Sequence, residues 1–171
     1  MARGAHELRK ALNYDIHEFA RISEVQSNLD DFYLSRISIR MLIGQYLALR
    51  EPSEEGNEMI GLISQRVSIK EVAKKAIADA QYMCSRIHGD APEVTIHGRT
   101  DLTFAYVPSH IHYILLELLK NSLRATVETH GTDAMPPVKV IIADGEDNED
   151  VIVKVSDEGG GIKRSNIPLI W

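Results

Sequence analysis

A single cysteine, Cys84, leaves the chain without an internal disulfide framework or a cysteine-based zinc site. No apolar run approaches the length needed to span a bilayer. Positive charge is not in excess either. Nineteen Lys and Arg stand against 25 Asp and Glu, a net charge of −6. Without a basic stripe to offset it, that balance argues against nonspecific nucleic-acid binding. The start, Met1-Ala-Arg-Gly4, has neither the apolar core of a secretory signal nor a long Arg- and Ser-rich presequence. No internal repeat is visible. What remains is ordinary for a globular protein, 44% hydrophobic and 26% charged over 171 residues, enough for one domain or two small ones. Cys84 falls on the apolar face of an expected helix, so a structural role is expected for it.

The first half reads as helical. Residues 6–29 suggest one or two polar helices, and Asp31 begins a more apolar one through about Leu49. There Phe32, Leu34, Ile37, Ile39, Met41, Leu42 and Ile43 leave little polar surface, which predicts a place inside a bundle. Arg36 and Arg40 are one turn apart and share a face. A loop with Pro52, Ser53 and Gly56 follows, then a short helix around Glu58–Gln65. Ser68 and Glu71 form an S-x-x-E capping box. Behind it Ile69, Val72, Ala73, Ala76, Ile77, Ala80, Met83, Cys84 and Ile87 repeat at helical spacing, until Gly89 and Pro92 stop the helix.

The second half changes period. Val94–Ile96 and Leu102–Tyr106 read as two short strands around a turn containing Gly98. A helix follows Pro108, with Ser109 as its expected N-cap. After Pro136-Pro137, Val138–Ala143 and Val151–Val155 form a hairpin-like pair. The acidic stretch Asp144–Asp150 between them lacks the spacing of a calcium loop and reads as a solvated turn. Helices first, then strands around a helix, predict an α+β chain: an all-helical part through residue 90, and an α+β part over 91–171.

The chemistry concentrates in Glu117-Leu-Leu-Lys-Asn-Ser-Leu-Arg-Ala-Thr126. A helix advances about 100° per residue, so Glu117, Asn121 and Arg124 share a stripe roughly 60° wide. Ile111, Leu115, Leu118, Leu119 and Leu123 read as the opposite, buried face. Mg²⁺ takes oxygen ligands and often only one or two from protein, so the Asn121 amide oxygen suits it, with phosphates and water completing the shell. Glu117 is placed to accept a proton from an attacking hydroxyl. Lys120 or Arg124 can balance phosphate charge. Further on, Asp157-Glu-Gly-Gly-Gly161 ends a strand. Asp157 can accept a hydrogen bond from an amino group such as that of adenine, and the glycines, Gly159 and Gly161 among them, let backbone approach a ligand. Each half alone is common by chance, as a solvated helical face or a turn. Together they point to a nucleotide with its metal.

Three segments carry a family resemblance: Phe32-Tyr-Leu-Ser-Arg-Ile-Ser-Ile-Arg-Met-Leu-Ile43, Tyr106-Val-Pro-Ser-His110 leading into Glu117–Glu128, and Ser156-Asp-Glu-Gly-Gly-Gly161. With these the chain resembles the mitochondrial 2-oxoacid dehydrogenase kinases, namely pyruvate dehydrogenase kinase and its branched-chain relative. They belong to the wider group of ATPases (GHKL-type) that includes gyrase and the histidine kinases. The resemblance implies a helical-bundle regulatory domain, residues 1–90, followed by the N-terminal part of a GHKL-type α/β-sandwich ATP-binding domain, residues 91–171. It implies that Glu117 is the general base, that Asn121 binds Mg²⁺, that Asp157 reads adenine, and that Glu117 through Arg124 line the ATP site. It further implies an ATP-dependent serine kinase of the mitochondrial matrix. Its substrate would be the E1 component of a dehydrogenase complex, which phosphorylation switches off. The lipoyl-bearing E2 core would be a second partner, and a homodimer the full-length assembly. A 2-oxoacid pocket in the helical part would match Ser35, Arg36, Ile39, Arg40 and Ile43, with Arg40 facing the carboxylate.

Neither an H-R-D nor a D-F-G motif of ordinary protein kinases is present. Tyr113, one turn before Glu117, matches the branched-chain type, whereas pyruvate-specific relatives often carry histidine there. The substrate thus stays open between the two, with pyruvate dehydrogenase favoured. No ATP lid or second glycine loop follows the first one within these residues, so the chain by itself is expected to hold the adenine and metal half of a site and not to turn over. Two rivals remain. Ala5-His-Glu-Leu-Arg9 resembles the phosphoacceptor box of sensor histidine kinases, with His6 as acceptor, although Lys10-Ala11 stands where that box has proline. The other rival is a truncated, non-catalytic fragment that binds the dehydrogenase core or a full-length partner. His110 and His112, two apart on a helix, do not suggest zinc.

Overall fold

The structure, a computed structural model, describes residues 2–15, 22–50, 59–145 and 150–169. These form two compact units, Met1–Leu47 with Arg164–Trp171, and Ala48–Lys163. The expected loop at Pro52, Ser53 and Gly56, and Glu58 at the start of the expected short helix, lie outside the described residues.

The first unit is built on helix α1 (Ala2–Ala11) and the longer α2 (Ser23–Arg50), with a 3₁₀ turn at Arg164–Leu169. α2 begins eight residues ahead of Asp31, so the end of the polar stretch and the apolar stretch make one helix. The expected burial inside a bundle is not found: no residue of α2 is buried. Leu34 is 64% exposed and Leu42 71%. Apolar side chains stand on every side of this helix, and most of them are exposed.

The second unit begins with a hairpin where a helix was expected. Strands β1 (Met59–Ile60) and β2 (Ile63–Ser68) pair antiparallel. Along β2, half-buried Ile63 and buried Val67 bracket exposed Gln65 and Arg66, and pairing with a distant strand overrides the weak helical signal. Helix α3 (Ile69–His88) follows directly. Its N-cap is Ser68, whose hydroxyl accepts the Glu71 N–H, as the capping box predicts. The Glu71 carboxylate turns to Lys74 instead of reaching back. Gly89 closes the helix in the left-handed region at φ 89°, where a side chain would be strained.

Strands β3 (Val94–Gly98) and β4 (Thr103–Tyr106) flank a turn as expected, yet they do not pair with each other. β4 joins β2 to give the sheet order β1-β2-β4. β3 lies parallel to β5 (Val138–Asp144), which pairs antiparallel with β6 (Val151–Ser156), giving β3-β5-β6. The β5–β6 pair is the predicted hairpin partnership. Arg99 pins the turn after β3, bonding both carboxylate oxygens of Asp101 and reaching Asp144 at the end of β5.

Helix α4 (Pro108–His130) packs against α3. Its N-cap is Val107 rather than Ser109, because Pro108 occupies the first helical position with its φ preset and no N–H to satisfy. Ala73, Ala76 and Ala80 of α3 are fully buried in one core with Leu115, Leu119 and Leu123 of α4 and with Val138 and Val140 of β5. Small residues on α3 let the larger ones of α4 close against them. Met83 and Ile87, expected on the same buried face of α3, are exposed. Cys84 sits in the core with its thiol toward the Asp90 carbonyl, and burial pushes its pKa up, with Asp90 adding to the effect. Because the core joins α3 to α4 and β5, the compact unit starts at Ala48 and not near residue 90.

Candidate functional site

α4 arrives at the site as a helix fixed along one side. Ile111, Leu115, Leu119 and Leu123 are buried as its sequence predicts, and burying each leucine stabilises by about 1.5–3 kcal/mol. Leu118 is not; it is 46% exposed. It faces a cavity of about 680 Å³ walled by Ile69, Phe104, Tyr106, Ile114 and Val153, with Asp144 and Asp150 also in the lining. Glu117, Asn121, Arg124 and Asp157 are all absent from that lining. Among the described residues the lining offers a phosphate two carboxylates and no cation, so its volume does not mark it as a nucleotide site.

Glu117, Asn121 and Arg124 emerge along the solvent side of α4. The Glu117 carboxylate is 41% exposed and bonded through Oε1 to Lys120 Nζ at 2.8 Å. That ion pair keeps the side chain along the helix and leaves Oε2 to accept a proton. Arg124 donates through Nε to Glu128 at 2.7 Å, and this partner raises its pKa. Both pairs are open to water and contribute little to stability. They serve instead to hold charged groups in register one turn apart.

The glycine loop is seated on the next face of the same helix. The Ser122 hydroxyl donates to Asp157 Oδ2 at 2.8 Å, and the Gly159 N–H donates to Oδ1 at 2.9 Å. Thr129 donates its hydroxyl to the Gly159 carbonyl, and His130 Nε2 meets the Glu158 carbonyl, both at 2.9 Å. The glycines differ in what they allow. A Cβ on Gly159 would stand 2.5 Å from the Ala125 Cβ and 2.8 Å from its carbonyl carbon, so only glycine lets the loop lie this close. Gly160 and Gly161 instead adopt φ of +83° and +70°, the left-handed region. Asp157 is therefore anchored through the residue next to Asn121, and the two segments flagged in the sequence meet. Ser122, Thr129 and His130 were not singled out from sequence. A serine on the buried side of an E-x-x-x-N-S helix was the available signal.

The donor set suits a magnesium nucleotide in kind. Among the described residues no group of three or more His, Cys, Asp or Glu converges to hold a metal alone. One amide oxygen, a carboxylate and nearby cations leave room for phosphate ligands. On α2, Phe32, Ser35, Arg36, Ile39 and Arg40 line a shallow hollow, while Ile43 is outside it and 55% exposed. His6 is exposed on α1. His112 pairs with Asp79 across α3 and α4 at 3.0 Å, which gives it a structural partner.

Residues 1–64 match the family model described as "Mitochondrial branched-chain alpha-ketoacid dehydrogenase kinase". Residues 106–171 match that of the "Histidine kinase-, DNA gyrase B-, and HSP90-like ATPase". Over 173 residues the chain is 46% identical to a mitochondrial [pyruvate dehydrogenase (acetyl-transferring)] kinase of Arabidopsis thaliana, covering all of this chain and 45% of the relative. The chain belongs to the mitochondrial 2-oxoacid dehydrogenase kinase family. A kinase of the same name from Schizosaccharomyces pombe is 48% identical over 167 residues, 92% of this chain and 38% of the relative. One from Drosophila melanogaster is 38% identical over 182 residues, all of this chain and 43% of the relative. The chain thus spans less than half the length of these relatives. The family is an enzyme family, and its α+β ATPase fold agrees with the sheets and helices of the second unit. The family model that matches residues 1–64, His6 among them, is that of the branched-chain kinase, and it lends the phosphoacceptor reading no support.

Proposed function

We propose that the protein is an ATP-dependent serine kinase that phosphorylates, and thereby switches off, the E1 component of a mitochondrial 2-oxoacid dehydrogenase complex. The stripe on α4 and the Asp157 loop supply its adenine and metal contacts. The observation that carries this reading is the Ser122–Asp157 bond, which draws the base-reading carboxylate to the helix bearing Glu117 and Asn121. Asp157 accepts a hydrogen bond from the amino group of adenine, and Gly159–Gly161 let backbone approach the nucleotide. Asn121 contributes the one protein oxygen to Mg²⁺, which when bound neutralises phosphate charge and orients the transferred group. Glu117 Oε2 takes the proton of the attacking serine hydroxyl, while Lys120 or Arg124 balances phosphate charge.

Relatives named as pyruvate dehydrogenase kinases in a plant, a yeast and an insect support pyruvate dehydrogenase as the complex. Tyr113 is 64% exposed one turn before Glu117, free to meet the substrate hydroxyl's surroundings. The names of those relatives also support a mitochondrial location, and we place the kinase in the matrix with the E2 core as docking partner and a homodimer as its assembly. The hollow at Ser35, Arg36, Ile39 and Arg40 is the proposed 2-oxoacid pocket, with Arg40 meeting the carboxylate and Ile43 beyond its edge.

The test is phosphotransfer by the complete gene product. With ATP and Mg²⁺, it places acid-stable phosphate on serine of pyruvate dehydrogenase E1, faster than on the branched-chain E1. Acid-labile phosphate on His6, or no transfer to either E1, contradicts the reading.

A further inference from the structure

A hydroxyl inside a helix commonly bonds the carbonyl four residues back, and three in this protein do so. Ser38 bonds Leu34, Ser85 bonds Gln81, and Thr126 bonds Ser122. Ser122 and Thr129 of α4 behave differently. They stand seven residues apart, two turns along one face, and both donate to the glycine loop. Ser122 is 8% exposed, so its hydroxyl has little access to water as a competing partner. Between them Ala125 meets Gly159 too closely for any Cβ.

The consequence for Asp157 is specific. One carboxylate oxygen is held by the Gly159 N–H of its own loop, and the other by Ser122 of the helix. Two donors from different directions fix the plane of the carboxylate, and the remaining lone pairs point along set lines. A fixed acceptor rewards an amino group at the purine 6-position and repels a 6-oxo oxygen. A carboxylate held on one side only can swing aside or admit a bridging water, and it then discriminates less.

We propose that Ser122 is a positioning residue that sets the selectivity of the site for 6-amino over 6-oxo purine nucleotides, acting through Asp157. The inference rests on the nucleotide reading of the site. Removing the hydroxyl leaves Asp157 in place with one donor, so the loss appears in base selectivity and not in the fold. Thr129 holds the Gly159–Gly160 peptide for both kinds of base, and its loss weakens both alike.

The experiment titrates the protein with the magnesium complexes of ATP and of inosine triphosphate, to millimolar concentration, following backbone amide NMR signals. Wild type, S122A, S122T and T129V are compared. Wild type favours ATP. In S122A that preference falls by about tenfold, the worth of one hydrogen bond to a charged acceptor. S122T keeps the hydroxyl and restores the preference, and T129V lowers both affinities with the preference intact. If S122A does not fold, S122C, near in size and a weak donor, carries the same comparison. A folded S122A that keeps the wild-type preference, or loses both nucleotides equally, overturns the role of Ser122 and leaves the nucleotide site standing. A wild type that binds neither nucleotide overturns the site itself.

Discussion

α2 and α4 are both long helices rich in leucine and isoleucine, yet one has no buried residue and the other has seven. The difference lies in sorting, not in content. α4 gathers Ile111, Leu115, Leu119 and Leu123 on one side, so the other sides are free to carry chemistry in a fixed frame. α2 spreads apolar groups all round, and its Arg36 and Arg40 line only a hollow on its own surface. A functional stripe is as exact as the helix beneath it is anchored. By that measure the Glu117–Asn121 stripe stands in a fixed frame, and the arginine stripe stands on a helix with no buried residue.

The largest effect falls on the anchored helix. Glu117→Gln in the complete gene product removes the proposed base, and transfer to E1 serine drops about 100- to 10,000-fold with the melting temperature unchanged. Beneath that stripe, Leu119 is fully buried between the helix pair and the sheet. Leu119→Ala costs about 2–5 kcal/mol, read from the urea midpoint. Smaller again is the cap that starts α3. Ser68→Ala loses the bond to the Glu71 N–H and roughly 1 kcal/mol. On the unanchored helix, Leu42→Ser changes stability by less than about 0.5 kcal/mol. A loss at Leu42 as large as that at Leu119 would break the contrast by showing that α2 is covered in solution.

Sequence was most legible where local chemistry decides. The Ser68 cap, the Gly89 stop, the α4 core face apart from Leu118, and the β5–β6 pairing depend on spacing within one or two elements, and each emerged as read. Failures came where partners lie far apart in the chain. β1 and the first half of β2 were read as a helix because the pattern is short, and the strand identity of β2 comes from pairing with β4, Ser64 opposite Tyr106. β3 and β4 were read around one turn, but each found a different sheet. The site followed the same rule. Glu117, Asn121 and Asp157 were visible as a spacing and a loop motif, whereas Ser122 takes its meaning from a carboxylate 35 residues on. Leu118 was misread because a cavity wall and a core face share one helical period.

The central claim is that the α4 stripe and the Asp157 loop form one nucleotide site. Manganese in place of magnesium makes it directly visible, since a paramagnetic ion broadens the NMR signals of nuclei near it. With Mn²⁺ and ADP, the account predicts broadening centred on the Asn121 side-chain amide and reaching the backbone of Glu117 and of Gly159–Gly161. Broadening centred instead on Asp144 and Asp150, the carboxylates of the apolar cavity, with Asn121 left sharp, would contradict it.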